Sequence, residues 1–369
     1  MNSMERTRGE PAVLAMVVKE LRQLKRDRRT LAMMVFLPVL LIVVFGYAAS
    51  FTVTKIPTTV VGPDAPAVAA HLPPPFSLSR VLAHGTEAEA VAVLRDGDTP
   101  AAVFAARAQT RVLLDGSSLF TAQAALRSLA RLEGSGHVGL RPVVQVLFNP
   151  GLKTSDVMVP GLAALILLFI GTVITSLGVV RERQSGTLEQ LAVMPLRPTD
   201  VYLGKIAPYF AVGVLDMVIV VAAGVGLFGV PFAGSIALFA LGAVLFLFVA
   251  LGVGVLISSL SQNQGQAIQL ALMVLLPQIM LSGLIFPLSS MAPGVRWIGY
   301  VLPLTYFVEI ARGVMLRGAP IGALWRPLLY LALLGAVVVG LATLRFRRML
   351  SPAHPRRRSD RTSVPKPAT

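Results

Sequence analysis

The chain has 369 residues, 55% of them hydrophobic and only 14% charged, and a mean hydropathy of +0.73. Soluble globular chains carry about 25% charged residues, whereas from Met217 to Val295 there is no Asp, Glu, Lys or Arg at all, which excludes a water-soluble protein and marks a polytopic membrane protein. Zero cysteines exclude disulfides, thiol catalysis and Cys-ligated metal sites, and the net charge of +15 needs an explanation from where the charges sit.

In chain order, residues 1–30 form a basic N-terminus. Within it Leu14, Val17, Val18, Leu21 and Leu24 repeat at helical spacing, with Lys19, Arg22, Lys25 and Arg26 between them. This predicts an interfacial amphipathic helix over 11–28, lying in the headgroup plane. The apolar run 31–51 is the first transmembrane helix. Its long leader and length argue against a cleaved signal, despite Arg28-Arg29 and Gly46-Tyr47-Ala48.

Residues 52–156 alone have the composition of a soluble domain. Strands are predicted at Thr58-Thr59-Val60-Val61, at Ala101-Ala102-Val103-Phe104 and at Arg111-Val112-Leu113-Leu114. One helix should run from about Thr86 to Arg95 and close at Gly97. A second should be capped by Ser117 or Ser118 and reach about Leu132. Alternating strands and helices make this a small α/β domain, with Pro73-Pro74-Pro75 as a loop. His71, His84 and His137 lack metal-ligand spacing and read as surface residues.

Five further spans are expected near 157–180, 206–229, 235–260, 266–288 and 327–344, making 157–344 a five-helix transmembrane domain. An even number of spans puts both termini on one side. Residues 1–30 hold eight Lys/Arg, 181–205 four and 345–369 eight, while 52–156 balances nine basic against eight acidic residues. The termini and the loop 181–205 are therefore expected in the cytoplasm, and 52–156 outside it. The basic excess is topology signal and contact with membrane lipids, including the tail 345–369, so no nucleic acid is expected. Asp216 is the one acid well inside a span. It lines a pathway or a subunit interface, or else serves a structural helix contact. No phosphate-binding loop exists, since Gly204-Lys205 is followed by Ile206, and no GxSxG or HExxH occurs. No metal site and no enzyme chemistry are expected of this chain.

Two stretches are specific. One runs Arg181-Glu182-Arg183-Gln184-Ser185-Gly186-Thr187-Leu188-Glu189-Gln190-Leu191 to Pro195. The other comprises Ser282-Gly283-Leu284-Ile285-Phe286-Pro287 and Pro303-Leu304-Thr305-Tyr306-Phe307-Val308-Glu309-Ile310-Ala311-Arg312-Gly313. Both closely resemble the membrane (permease) subunits of type-two ATP-binding-cassette exporters. Asp27-Arg28-Arg29, Pro38 in the first span, and Phe148-Asn149-Pro150 ahead of Val159-Pro160-Gly161 match as well, the last being typical of the branch with a large extracytoplasmic domain between the first and second spans.

The resemblance implies six transmembrane helices and a permease of the bacterial inner membrane that exports a drug, lipid or other amphiphile. It implies coupling of Arg181, Glu182, Gly186, Thr187, Glu189 and Pro195 to a separate ATPase. It also implies a re-entrant outer segment, 289–326, associated with Pro287, Pro303, Tyr306, Glu309 and Arg312. Expected partners are two ATP-binding-cassette ATPase subunits carrying ATP and Mg, a second permease subunit in a homo- or heterodimer, and a periplasmic adaptor protein. Two other readings compete: an ion-coupled transporter, for which Asp216 is the only embedded acid, and a membrane-anchored receptor without an ATPase partner.

Overall fold

The computed structural model describes residues 25–48, 53, 55–106, 109–134, 142–186 and 198–350, together with Val18, Lys19 and Arg22. Of the interfacial helix, Val18, Lys19, Arg22, Lys25 and Arg26 are helical and exposed; the remainder, like the tail 351–369, lies outside the described residues.

Helix α1 (Arg28–Ala48) takes the place of the first span, with Pro38 inside it. A five-stranded sheet follows, made of β1 (Ile56–Val61), β2 (Phe76–Leu82), β3 (Ala101–Ala106), β4 (Gln109–Asp115) and β5 (Val143–Leu147), in the order β2-β1-β3-β4-β5. β1 runs parallel to β2 and to β3, β3 and β4 pair antiparallel, and β5 is parallel to β4. Side chains alternate along a strand, so the small central residues of β3 serve two cores. Ala101, Val103 and Ala105 pack with helices α2 (Ala65–Ala70) and α4 (Leu119–Gly134), while Ala102 and Phe104 pack with α3 (Glu87–Asp96) on the other face. The expected α/β domain is thus a three-layer sandwich.

Helix α3 forms where its end signals put it. Thr86 and Glu89 make a reciprocal capping box, and Gly97 turns left-handed at φ 81°, its N–H bonded to Leu94 O at 3.1 Å. Three elements were not expected: α2, β2 and β5. β2 and β5 are edge strands with little buried surface, β2 burying only Phe76 fully; neither shows a strong periodic signal.

Asn149 joins this domain to the helices. It accepts from the Lys153 N–H at 2.9 Å and donates to Lys153 O at 3.0 Å and Gly116 O at 3.4 Å, closing a turn in which Phe148 has φ 66°. Beyond it come α5 (Thr154–Gln184), α6 (Pro198–Phe228), α7 (Ile236–Leu260), α8 (Gln264–Leu281), α9 (Pro293–Gly299), α10 (Pro303–Met315) and α11 (Ile321–Leu350). Among the described residues α5, α6, α7, α8 and α11 are long and apolar enough to cross a bilayer. α9 and α10 meet at a 74° bend.

Two span boundaries shift. α8 stops at Leu281, short of the expected 288, because Gly283 adopts φ 82° and breaks the helix. α11 is far longer than 327–344: Pro327 lies inside its first turns without ending it, and the helix continues into the basic residues after Leu344.

α7 is the axis of the bundle, flanked by α5, α6, α10 and α11, while α1 packs on α8. At its contact with α7, α5 widens into a π-turn at Ile170–Ile174. A Cβ on Gly254 would lie 2.5 Å from Gly171 O, so these backbones touch. Without a hydrophobic force between helices in lipid, such close van der Waals approach through small residues holds the bundle. Phe246 stacks on Phe307 of α10 at 4.7 Å, seating the bent pair in the same core.

Candidate functional site

The helices alternate in direction, so the chain has two distinct ends. At the end away from the sheet, the last turn of α5 meets the starts of α1, α6 and α8. Glu182 forms an ion pair with Lys205 of α6. Arg183 donates to the carbonyl of Ser261, the residue that closes α7, and Gln264 donates to Gln184 at 3.1 Å. Gln266 then reaches Asp27 Oδ1 and Thr30 Oγ1, each at 3.4 Å, before α1 and within it. Asn263 caps α8 by accepting from the Gln266 N–H at 2.9 Å. The Thr30 hydroxyl, followed by its backbone N–H, holds the Asp27 carboxyl below the usual carboxylate range, since both bonds favour the ionised form.

Of the residues expected to couple to an ATPase, Arg181, Glu182 and Gly186 stand at this end. Thr187, Glu189 and Pro195 lie outside the described residues. Two of the charges in the Arg-Glu-Arg run are engaged within the chain. The turn 261–266 holds that run through Ser261 and Gln264. Its signal was a row of Ser, Gln and Asn side chains between two apolar helices.

At the sheet end, residues 282–302 run irregularly, so their carbonyls need donors. Side chains supply them. Arg312 of α10 donates to Leu284 O at 2.8 Å and Gly283 O at 3.3 Å. Arg296 donates to Ser289 O at 2.9 Å and Met291 O at 3.1 Å. Thr305 binds Gly299 O at 2.6 Å, and Tyr306 donates to Tyr300 O while its ring stacks on Tyr330 at 5.3 Å. Pro303 opens α10. Four of the five expected residues, Pro303, Tyr306, Glu309 and Arg312, therefore share one short helix, and Pro287 faces Glu309 and Arg312 across a cavity of about 320 Å³.

That cavity lies between the bundle and the sheet domain, with Asp115 and Ser117 on the domain side and Arg317 beneath. Arg317 Nη1 stands 3.5 Å from Asp115 Oδ2, with side chains 9% and 2% exposed. Asp115 also accepts from the Ser117 N–H at 2.8 Å. This buried pair ties the domain to the end of α10. The sequence reading missed it, since no local pattern relates two residues 202 apart.

Asp216 stands apart from both ends. It is half-buried in the middle of α6, and among the described residues no hydrogen bond or ion pair reaches it. No group of His, Cys, Asp and Glu among the described residues is arranged to hold a metal.

A multi-span helical bundle with a bent helix pair on one end and a small α/β domain between its first two long helices is a membrane permease architecture. The chain belongs to the ABC-2 family of transporter proteins, whose model matches residues 28–344. It is 30% identical over 367 residues to a probable multidrug ABC transporter permease, YbhS, of Escherichia coli K12, covering 92% of this chain and 97% of that protein. It is equally 30% identical to YbhR, described in the same words, over 90% of this chain and 97% of YbhR. The inner membrane transport permease YhhJ of the same organism is 35% identical over 209 residues, covering 55% of this chain and 54% of YhhJ. Family membership implies partnering with ATP-binding subunits, and the relatives are transport subunits rather than enzymes.

Proposed function

We propose that this chain is the permease subunit of an ATP-driven exporter, moving a drug, lipid or other amphiphile out of the cytoplasm or inner leaflet. Two permeases, alike or different, assemble with two ATPase subunits that carry ATP and Mg. Both termini and the Glu182–Lys205 end face the cytoplasm, in keeping with their Lys/Arg excess. The α/β domain faces the periplasm, where an adaptor would meet it, and the bent pair α9–α10 enters the membrane from that side without crossing it.

The observation that carries the reading is the clamp at the end of α5. Arg183 and Glu182 bind the chain to α7 and α6, and Gln184 to α8. A push on residues 187–197 is thereby passed to three spans at once. Glu189 supplies the contact with the ATPase and Glu182 transmits it. The test is co-purification of the ATPase and substrate-stimulated ATP hydrolysis in reconstituted vesicles. The Glu182→Ala/Glu189→Ala double variant is expected to insert and dimerise but to lose both. Wild-type levels of both would reject the coupling assignment.

A further inference from the structure

The α/β domain holds an apolar trough of its own, away from the bundle's polar ends. It is a cavity of about 360 Å³ floored by Val103 of β3 and Val112 of β4. Ala67 and Leu72 stand on one side of it, Leu129 and Leu132 of α4 on the other. Its origin lies in the unequal helices that cover this face of the sheet. α4 has 16 residues and seats on β4. α2 has only six, about 9 Å of helix at 1.5 Å per residue, and packs on β1, β2 and β3. So short a helix cannot cover the strands beneath it from end to end. Apolar side chains stay open between the two helices.

Chemistry and width decide what fits there. Among the described residues no Asp, Glu, Lys or Arg lines the cavity, and its polar side chains are His71 and Thr110. His71 Nδ1 lies 3.1 Å from Ala67 O, so that nitrogen is engaged within α2. A charged group seated there would give up its hydration without a counter-charge. The seated part of a ligand is therefore uncharged and apolar, as in most ligand pockets of this size. Five strands about 4.8 Å apart span about 19 Å, and two helices of about 10–12 Å diameter already take that width. A helix from a partner protein has no room. An alkyl chain does: at about 30 Å³ per water molecule the cavity equals about twelve waters, roughly a dozen methylene groups.

We propose that this trough binds the alkyl chain of an amphiphile. The proposal rests on the permease reading and narrows its substrate to molecules with a chain of roughly a dozen carbons, which the α/β domain shields from water. Chain length sets the affinity, since each further methylene that is buried adds its own share of apolar surface.

The test is photolabelling of the full chain in nanodiscs with dodecanol that carries a diazirine near its chain end. Mass spectrometry then locates the labelled peptides. Labelling of peptides that carry Leu72, Val112 or Leu129 is expected to saturate and to be displaced by unlabelled dodecanol. Hexanol should need a concentration about a hundredfold higher for the same displacement. Ala67→Trp fills the trough from an exposed position and is expected to cut this labelling about tenfold or more. Ala70→Trp, exposed next to α2's end but off the cavity, is expected to leave it unchanged. Should Ala67→Trp fail to fold, the comparison of the two alcohols on the wild type still decides. Labelling confined to the spans, equal displacement by hexanol, or wild-type labelling of Ala67→Trp would overturn the proposal. Binding requires neither ATP nor an ATPase, so failure here leaves the ATP-driven export reading standing. Failed ATPase co-purification, in turn, leaves the alkyl-chain site standing.

Discussion

The two ends of the bundle are both stitched by polar side chains, but in opposite ways. At the sheet end the donors are arginines in dry surroundings: Arg317 on Asp115, both nearly inaccessible, and Arg312 on two carbonyls of an irregular turn. At the other end Glu182 is 41% exposed while it pairs with Lys205, and Gln184 and Gln264 meet in the open. Burial raises the penalty for an orphaned polar group, whereas water stands in for a lost partner at the surface. The sheet end is therefore built for rigidity. The other is held by contacts that water can replace, as the proposed coupling to an ATPase would require.

The sharpest way to break this contrast is Asp115→Ala. Removing one member of a buried pair leaves the other charge uncompensated, at a cost of about 3–5 kcal/mol. A large fall in the unfolding midpoint of the purified protein is expected, and replacing both partners, as Asp115→Leu with Arg317→Met, should recover most of it. A double variant as unstable as the single one would mean that the Ser117 contact, not the ion pair, is what Asp115 provides. Next is Arg312→Ala, which strips donors from Gly283 and Leu284; bonds to charged groups are worth roughly 1.5–3 kcal/mol each. Stability should fall and proteolysis within 282–302 should rise. Arg312→Lys is expected to restore little, because an ammonium lacks the planar fork that reaches two carbonyls. Smallest in stability is Glu182→Gln, at most about 1 kcal/mol for a pair this exposed. Its effect should appear instead as lost stimulation of the ATPase by substrate. A stability loss matching that of Asp115→Ala would erase the distinction between the ends.

Much of this was legible in the sequence, and the reasons are local. Apolar runs of about 20 residues can only be satisfied as helices in lipid, so α5, α6 and α7 fall close to expectation. Thr86, Glu89 and Gly97 announce α3 through bonds spanning three or four residues. The edge strands β2 and β5 carried too weak a pattern, and the extent of α11 was hidden because the charges of Arg326 and Arg345 were read as boundaries. Pro327 is the seventh residue of α11, so it removes one intrahelical donor, and the helix nonetheless continues through it.

For the functional regions the division is similar. The resemblance pointed to Arg181–Glu182 and to the Pro303–Arg312 helix, while the distribution of charges along the sequence singled out Asp216 as the one acid well inside a span. Which groups those residues touch was decided in three dimensions: Glu182 by Lys205, Arg183 by Ser261 and Arg317 by Asp115. Hydropathy and capping act over a few residues and can be read along the chain. Pairing between distant side chains depends on helix crossings and on the sheet domain's seat against α10, which many weak contacts set together, and so only the folded structure reveals it.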